Sequence, residues 1–196
     1  MTTIVVARKG NQVAMAADTL VTFGDTRLPH RFEDNSKIFS VNANGLETLV
    51  GMAGTVAHFP VLRKALAAMP KDQLKLGSKL EIFETFTALH AKLKEDFFLQ
   101  TKEEDADPYE SSQFSLLLAN ASGIFGVYSY REVFEFKEFW ALGSGRNFAL
   151  GAMYGRYESA KTAKEIAELG VRAGCEFDKS SAGPIDVFTL KLKAKA

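Results

Sequence analysis

The sequence predicts an α+β fold in which antiparallel strands and helix pairs pack as the layers of a sandwich. Segments with strand-like alternation come in runs, and the runs are separated by pairs of segments with apolar residues at helical spacing. The order strands, two helices, strands, two helices, strand is typical of layered α+β proteins and not of alternating βαβ units. At 196 residues the chain is long enough for one domain with a sizeable core, and we expect residues 2–196 to form it.

The first half of the chain predicts two hairpins followed by two helices. The segments TIVVARK and QVAMAAD flank a Gly10–Asn11 turn. A charged loop at 20–35 leads to a second hairpin, formed by residues 37–41 and 46–54 around the turn Asn42-Ala43-Asn44-Gly45. Helices are predicted at 58–69 and 78–100. In the second helix the apolar residues at helical spacing are Leu80, Phe83, Phe86, Leu89 and Leu93.

The second half repeats this arrangement. A charged loop at 102–112, which contains Pro108, precedes strands at 112–120, 124–129, 132–136 and 139–145. Two further helices are predicted at 146–157 and 159–174, and a final strand at 185–192.

Composition excludes several classes of function. With 24 basic and 24 acidic residues the net charge is zero, so no basic field favours nucleic acid or an anionic membrane. The single cysteine rules out an internal disulfide and is typical of a reducing compartment. No apolar run approaches the ~20 residues of a membrane span. We therefore expect a cytoplasmic protein that binds neither nucleic acid nor membrane.

Thr2 is the first candidate for chemistry, because removal of Met1 would place a free α-amine beside its hydroxyl. An α-amine has an ordinary pKa of about 7.7–8.0, close to the value at which a general base works well. A hydroxyl is a weak nucleophile that needs such a base, and the N-terminal amine can supply it to a threonine.

Asp18 ends the otherwise apolar second strand of the first hairpin. A loop centred on Gly10 sets Asp18 opposite Thr2, whereas a two-residue turn at Gly10–Asn11 sets it opposite Thr3. Both registers are open from the sequence. Asp18 can also be a turn former at the strand end.

Lys37 and Gly54 lie at the two ends of the second hairpin. Lys37 shares a strand face with Phe39 and Val41, where an ammonium group is costly unless it is paired. Asp18 would pair with it if the two hairpins lie side by side; an edge lysine that protects the sheet is the alternative. Gly54 ends the hairpin at a strand-to-helix junction, where unpaired N–H groups favour an oxyanion hole or simply a turn.

These features together resemble the proteasome β-subunit family, and within it the bacterial single-component members, the HslV protease subunit and the bacterial proteasome homologue. The resemblance rests on Thr2, on AAD at the end of the first hairpin, on Lys-Ile at the start of the next strand and on the junction GMAG. It continues in the Gly-Ser-Gly of ALGSG and in FDKSSAG. It implies a four-layer αββα sandwich of the N-terminal nucleophile hydrolase type. It also implies roles for seven residues: Thr2 as nucleophile, Asp18 and Lys37 as its charge partners, Gly54 as oxyanion donor, and Ser144, Asp178 and Ser181 around the α-amine.

The resemblance further implies a substrate site and an assembly. Val21, Met52 and Val56 match positions that line an apolar pocket for the side chain before the scissile bond, and Thr22 would hold the peptide as an added strand. The expected function is a threonine endopeptidase that needs no cofactor or metal. Its expected substrates are peptides or unfolded proteins, cleaved inside stacked homomeric rings with an ATP-dependent unfoldase as a further partner.

Departures from the family and rival interpretations qualify this expectation. The segment from Asp18 to Lys37 is longer than the usual family spacing, which places an insertion beside the substrate channel. Two other functions share the fold: a small-molecule amidase with polar groups in its pocket, and a non-catalytic ring scaffold.

Other chemistries have weaker support. Cys175 has no nearby histidine in the sequence, and His30, His58 and His90 lack metal-ligand spacing. LGSGRNF lacks the glycines of a dinucleotide loop or a serine elbow, and KEEDADPYE lacks a calcium-loop signature.

Overall fold

In a computed structural model the chain is described over residues 2–101 and 107–193; Met1, residues 102–106 of the predicted charged loop and residues 194–196 lie outside these ranges. The strands are β1 (Thr3–Lys9), β2 (Gln12–Asp18), β3 (Val21–Phe23), β4 (Thr26–Leu28), β5 (Ile38–Ala43), β6 (Leu46–Ala53), β7 (Ser115–Asn120), β8 (Gly123–Val127), β9 (Val133–Phe136), β10 (Phe139–Gly143) and β11 (Ile185–Lys191). The helices are α1 (His58–Ala67), α2 (Lys79–Phe97), α3 (Arg146–Arg156) and α4 (Ala163–Phe177).

Two antiparallel sheets form the centre of the molecule. The first has the strand order β10-β1-β2-β11 and the second the order β5-β6-β7-β8-β9. Helices α3 and α4 cover the outer face of the first sheet, and α1 and α2 cover the outer face of the second. The predicted four-layer αββα sandwich is confirmed.

Three apolar clusters fill the spaces between the layers. The central cluster joins the inner faces of the two sheets, with Ile4 and Met15 from the first and Leu49 and Leu117 from the second. Because successive strand residues point to opposite faces, Val5 and its like-facing neighbours pack instead against α3 and α4. The outer face of the second sheet packs against α1 and α2 in the same way. The near-continuous apolar runs of β1 and β2 follow from burial on both faces.

The structure decides between the two registers of the first hairpin that the sequence left open. Ile4 pairs with Ala17, which sets Thr3, not Thr2, opposite Asp18. The Gly10–Asn11 turn therefore has two residues, and Gly10 takes a φ of 58° that favours glycine.

Three further expectations need correction. The segment 20–35, predicted as a loop, contains the short hairpin β3–β4. The four-residue turn expected at 42–45 is a two-residue Asn44–Gly45 turn, in which both residues have positive φ, as a type I′ turn requires. Leu80 and Phe83 are exposed, and the buried face of α2 is formed by Ile82, Phe86, Leu89 and Leu93.

Within the described ranges, no helix is both long enough and apolar enough to cross a membrane.

Gly51 lies where side chains of the first sheet leave no room for a side chain on the second. A Cβ atom added to Gly51 would lie 2.5 Å from Cδ1 of Ile4 and 2.7 Å from Sδ of Met15, both in the central cluster. Interiors of this density have no room for an extra methyl group without side-chain shifts.

We expect Gly51→Ala to lower the free energy of unfolding by about 1–3 kcal/mol, because it overpacks the space between the sheets. The matched control is Gly151→Ala in α3, where nothing lies within 4 Å of the added atom. The control should stabilise the protein by about 0.4–1 kcal/mol by restricting the unfolded chain. Urea unfolding of both variants measures the difference, and equal effects would show that the sheets separate at Gly51 without cost.

Candidate active site

The backbone nitrogen of Thr2 lies at one end of a chain of hydrogen bonds. It donates to Oγ of Ser144 at 3.3 Å, and the Ser144 hydroxyl donates to Oδ2 of Asp178 at 2.6 Å. Ser181 donates to the same carboxylate oxygen at 2.7 Å. The structure thus brings together at Thr2 the three residues that the sequence placed around its amine.

These residues come from the ends of distant elements. Thr2 precedes β1, Ser144 lies in the β10–α3 junction, and Asp178 caps α4. Burial alone would raise the pKa of Asp178, but hydrogen bonds from Ser144, Ser181 and the Ser180 N–H together hold its pKa below the ordinary value. Asp178 is therefore a carboxylate at neutral pH, which orients both hydroxyl groups as donors.

Asp18 and Lys37 form a buried ion pair beside Thr2. The distance from Nζ of Lys37 to Oδ1 of Asp18 is 2.9 Å. Asp18 is 0% exposed and also accepts from the N–H groups of Thr3, Leu20 and Ala182, at 2.9, 3.1 and 3.2 Å. The predicted pairing is present, but the hairpins are stacked in different sheets and do not lie side by side.

Burial and the Asp18 partner have opposite effects on the pKa of Lys37. Loss of solvent lowers the pKa of Lys37, and the attraction and hydrogen bond of Asp18 only partly offset this, so its pKa lies below the ordinary value. A lysine whose pKa is shifted by burial next to a specific charge partner, in the wall of a cavity, is a common feature of functional sites.

Thr3 is a site residue that the sequence did not single out. It is fully buried, and its Oγ1 is 2.7 Å from Oγ of Ser181. Its side chain occupies space left by Gly145 and Gly174, since a Cβ atom on either glycine would overlap it. A polar residue inside a buried strand needs a hydrogen-bond partner. A threonine in the apolar run of β1 could therefore have been recognised as a candidate site residue from the sequence.

Gly54 lies across a cleft from the nucleophile candidate. It follows β6 and precedes α1, as predicted, and its φ of 150° favours glycine. Thr2, Gly54 and Val56 line both of two cavities, of about 410 and 970 Å³. Thr2 therefore stands between two spaces that open on either side of it.

The smaller cavity includes most of the predicted pocket. Val21, Thr22 and Val56 line it together with Lys37. Met52 does not: it is 0% exposed and packs against α1 and α2 in the outer core, so its placement in the pocket was wrong. The sequence did not identify Leu28, Glu33 and Asp34 of the long 18–37 segment as further wall residues.

Other candidate chemistries have little structural support. Burial raises the pKa of Cys175 to about 11, with Asp18 adding to the effect, so its thiol is un-ionised at neutral pH. Among the residues that the structure describes, no group of three or more His, Cys, Asp or Glu side chains could hold a metal ion.

Comparison with known families now bears on this arrangement. The profile of the family described as "Proteasome subunit" matches residues 1–190. The chain belongs to the proteasome subunit family. Its peptidase relatives include the ATP-dependent protease subunit HslV of Roseobacter denitrificans, which is 26% identical over 191 residues, or 96% of this chain and 93% of that protein.

Solved structures of proteasome-like proteins agree over nearly the whole chain. The BPH protein of Thiobacillus denitrificans is 35% identical with a TM-score of 0.88, and its complex with epoxomicin is 34% identical with a TM-score of 0.86. Each comparison covers 98% of this chain and 100% of the other. HslV of Trypanosoma brucei, 23% identical with a TM-score of 0.68 over 96% of this chain and 99% of the other, shares the fold.

We expect Asp18→Asn to destabilise the protein by about 3–5 kcal/mol, because it leaves the Lys37 ammonium buried without its counter-charge. The control is Asp96→Asn, which removes one partner of the exposed Lys92–Asp96 pair at 2.6 Å and should cost no more than about 1 kcal/mol. Denaturant unfolding at pH 7 measures both. Equal losses in the two variants would mean that burial of the Asp18 pair has no energetic consequence.

Proposed function

We propose that the protein is a threonine endopeptidase with Thr2 as its nucleophile. The observation that supports this best is the placement of the Thr2 nitrogen on the Ser144–Asp178–Ser181 network, in a cavity that Lys37 of the buried Lys37–Asp18 pair also lines. Removal of Met1 converts that nitrogen into an α-amine next to the Thr2 hydroxyl, the pairing that a threonine nucleophile needs.

The reaction follows from the roles of these groups. The α-amine of Thr2 takes the hydroxyl proton as Oγ1 attacks the peptide carbonyl, and the Gly54 N–H stabilises the resulting oxyanion. The proton then passes to the leaving amine and an acyl-enzyme forms. A water molecule, activated by the same amine, attacks the ester and releases the acid. The positive charge of Lys37 favours the ionised hydroxyl, and Ser144 and Asp178 orient the amine.

The smaller cavity would hold the side chain that precedes the scissile bond. Val21 and Val56 give it apolar walls, and Thr22 in the short β3 strand can pair with an extended peptide. Hydrophobic side chains are the expected preference at this position. Glu33, Asp34, Lys37 and Arg63 also line the cavity, so its charged residues include both signs.

The assembly and cellular setting are part of the same proposal. A cytoplasmic homo-oligomer of stacked rings would enclose the sites, so that peptides enter by diffusion and folded proteins need an unfoldase. The HslV relative is named as an ATP-dependent protease subunit, which supports an ATP-dependent partner for this chain.

We expect the mature protein to lack Met1 and to gain one adduct per chain from epoxomicin, a peptide epoxyketone that is bound by the Thiobacillus relative. Thr2→Ala should take no adduct and lose about 10³-fold or more in kcat/KM. Thr2→Ser, which keeps a hydroxyl beside the amine, should still take the adduct. Intact mass spectrometry before and after exposure measures the adduct in the wild-type protein and both variants, and a peptide hydrolysis assay measures kcat/KM.

Hydrolysis by Thr2→Ala at the wild-type rate would refute the mechanism. A processed wild-type chain that cleaves short amides but no longer peptides would favour the small-molecule amidase. A processed chain that cleaves neither and takes no adduct would favour the scaffold.

A further inference from the structure

We infer that the larger cavity binds the leaving half of the peptide, and that Arg146 selects a carboxylate side chain within that half. The inference deepens the proposed function and rests on it. It concerns the residues after the scissile bond, whereas Val21, Thr22 and Val56 concern those before it.

The position of Thr2 between the two cavities gives the first argument. When the carbonyl group of a scissile bond lies at Thr2, the peptide chain extends from it in both directions. Thr2, Gly54 and Val56 line both cavities, so each cavity can receive one of the two halves. If the acyl half lies along β3 in the smaller cavity, the leaving half extends into the other. That space has about 970 Å³, enough for several residues.

Aromatic side chains give this cavity a wall with a hydrogen-bond donor. The indole N–H of Trp140 donates to the Tyr128 hydroxyl at 2.7 Å, and Phe136 stacks on Trp140 with ring centroids 5.0 Å apart. With its oxygen already accepting, Tyr128 can turn its own O–H toward a peptide carbonyl. Burial raises the pKa of Tyr128, so the donor stays protonated.

A strained backbone position supports the same assignment. Gln113, in the wall of this cavity, has a φ of 56°, which is unusual for a residue other than glycine. Its N–H donates to Oγ of Ser111 at 2.9 Å, a bond that helps to hold the bend. Such strain persists where the surrounding structure fixes it, and it is common at ligand sites.

Charge supplies the selectivity. Among the described residues that line this cavity, Arg146 has the one formally charged side chain. Arg146 is exposed and is the first residue of α3, where the helix dipole favours acidic residues over basic ones. Its guanidinium donates to the Gly143 carbonyl at 3.2 Å, which keeps it next to the Ser144 junction. A carboxylate in the leaving half would find here a cation with donors still available.

The test uses two quenched fluorescent peptides with the same acyl half. One has Asp and the other Lys at the second residue after the scissile bond. At low ionic strength, the wild-type protein should have a kcat/KM about twofold to fivefold higher for the Asp peptide, the range expected of one exposed charge pair. Arg146→Glu should invert this ratio, and Arg146→Gln should bring it close to one.

Arg172→Glu is the matched control, because Arg172 is an exposed residue of α4 outside both cavities and should keep the wild-type ratio. Glutamate at the first position of α3 is favoured by the helix dipole, so folding is retained. An unchanged ratio in Arg146→Glu, with both peptides cleaved, would overturn the inference alone. Cleavage of neither peptide by the processed wild-type protein would overturn the proposed function, and the inference with it.

Discussion

The buried contact between Lys37 and Asp18 is the constraint on which the active end of the sandwich depends. It joins the end of β2 in one sheet to the start of β5 in the other, so it fixes how the two sheets meet beside Thr2. Removing both charges from water is unfavourable, and attraction alone rarely compensates. Here three backbone N–H groups also donate to Asp18, which satisfies the remaining lone pairs of the carboxylate. The same bonds hold the start of β1, Leu20 just before β3, and Ala182 in the segment between α4 and β11 around one anion.

The network around Asp178 is built differently and complements the first. Asp178 is half-buried and receives hydroxyl donors, whereas Asp18 is fully buried and receives a cation. Hydrogen bonds from hydroxyl groups help to hold the pKa of Asp178 below its ordinary value, whereas Asp18 has a direct counter-charge in Lys37. The Thr2 nitrogen is joined to the Asp178 network through Ser144, and the N–H of the next residue, Thr3, donates to Asp18.

Periodicity predicted most of the fold, because strands and helices buried in a layered sandwich have clear apolar patterns. It failed where two different structures are consistent with the same apolar pattern. The Gly10–Asn11 hairpin allows two registers one residue apart, and only the structure distinguishes them. Gly51 and Met52 are successive residues of β6, so their side-chain positions lie on opposite faces of the sheet: Gly51 faces the other sheet and Met52 faces the outer helices. The sequence does not tell which of the two faces borders a cavity. In α2, Leu80 and Phe83 belong to a second apolar stripe that does not meet the sheet. The short motifs pointed to Ser144, Asp178 and Ser181, which the structure joins to Thr2 by hydrogen bonds. The contact of Thr3 with Ser181 joins segments far apart in sequence, and no local motif marks it.

The burial of Thr3 between Gly145 and Gly174 has a consequence for the residue before it. Chain ends usually sample many conformations, and ordering one at each turnover would raise the activation barrier through lost entropy. With Thr3 clamped by Ser181 and Asp18, that ordering is completed once, during folding. In the proposed mature chain, Thr2 would thus be preorganised by Thr3, and the two glycines make room for the Thr3 side chain.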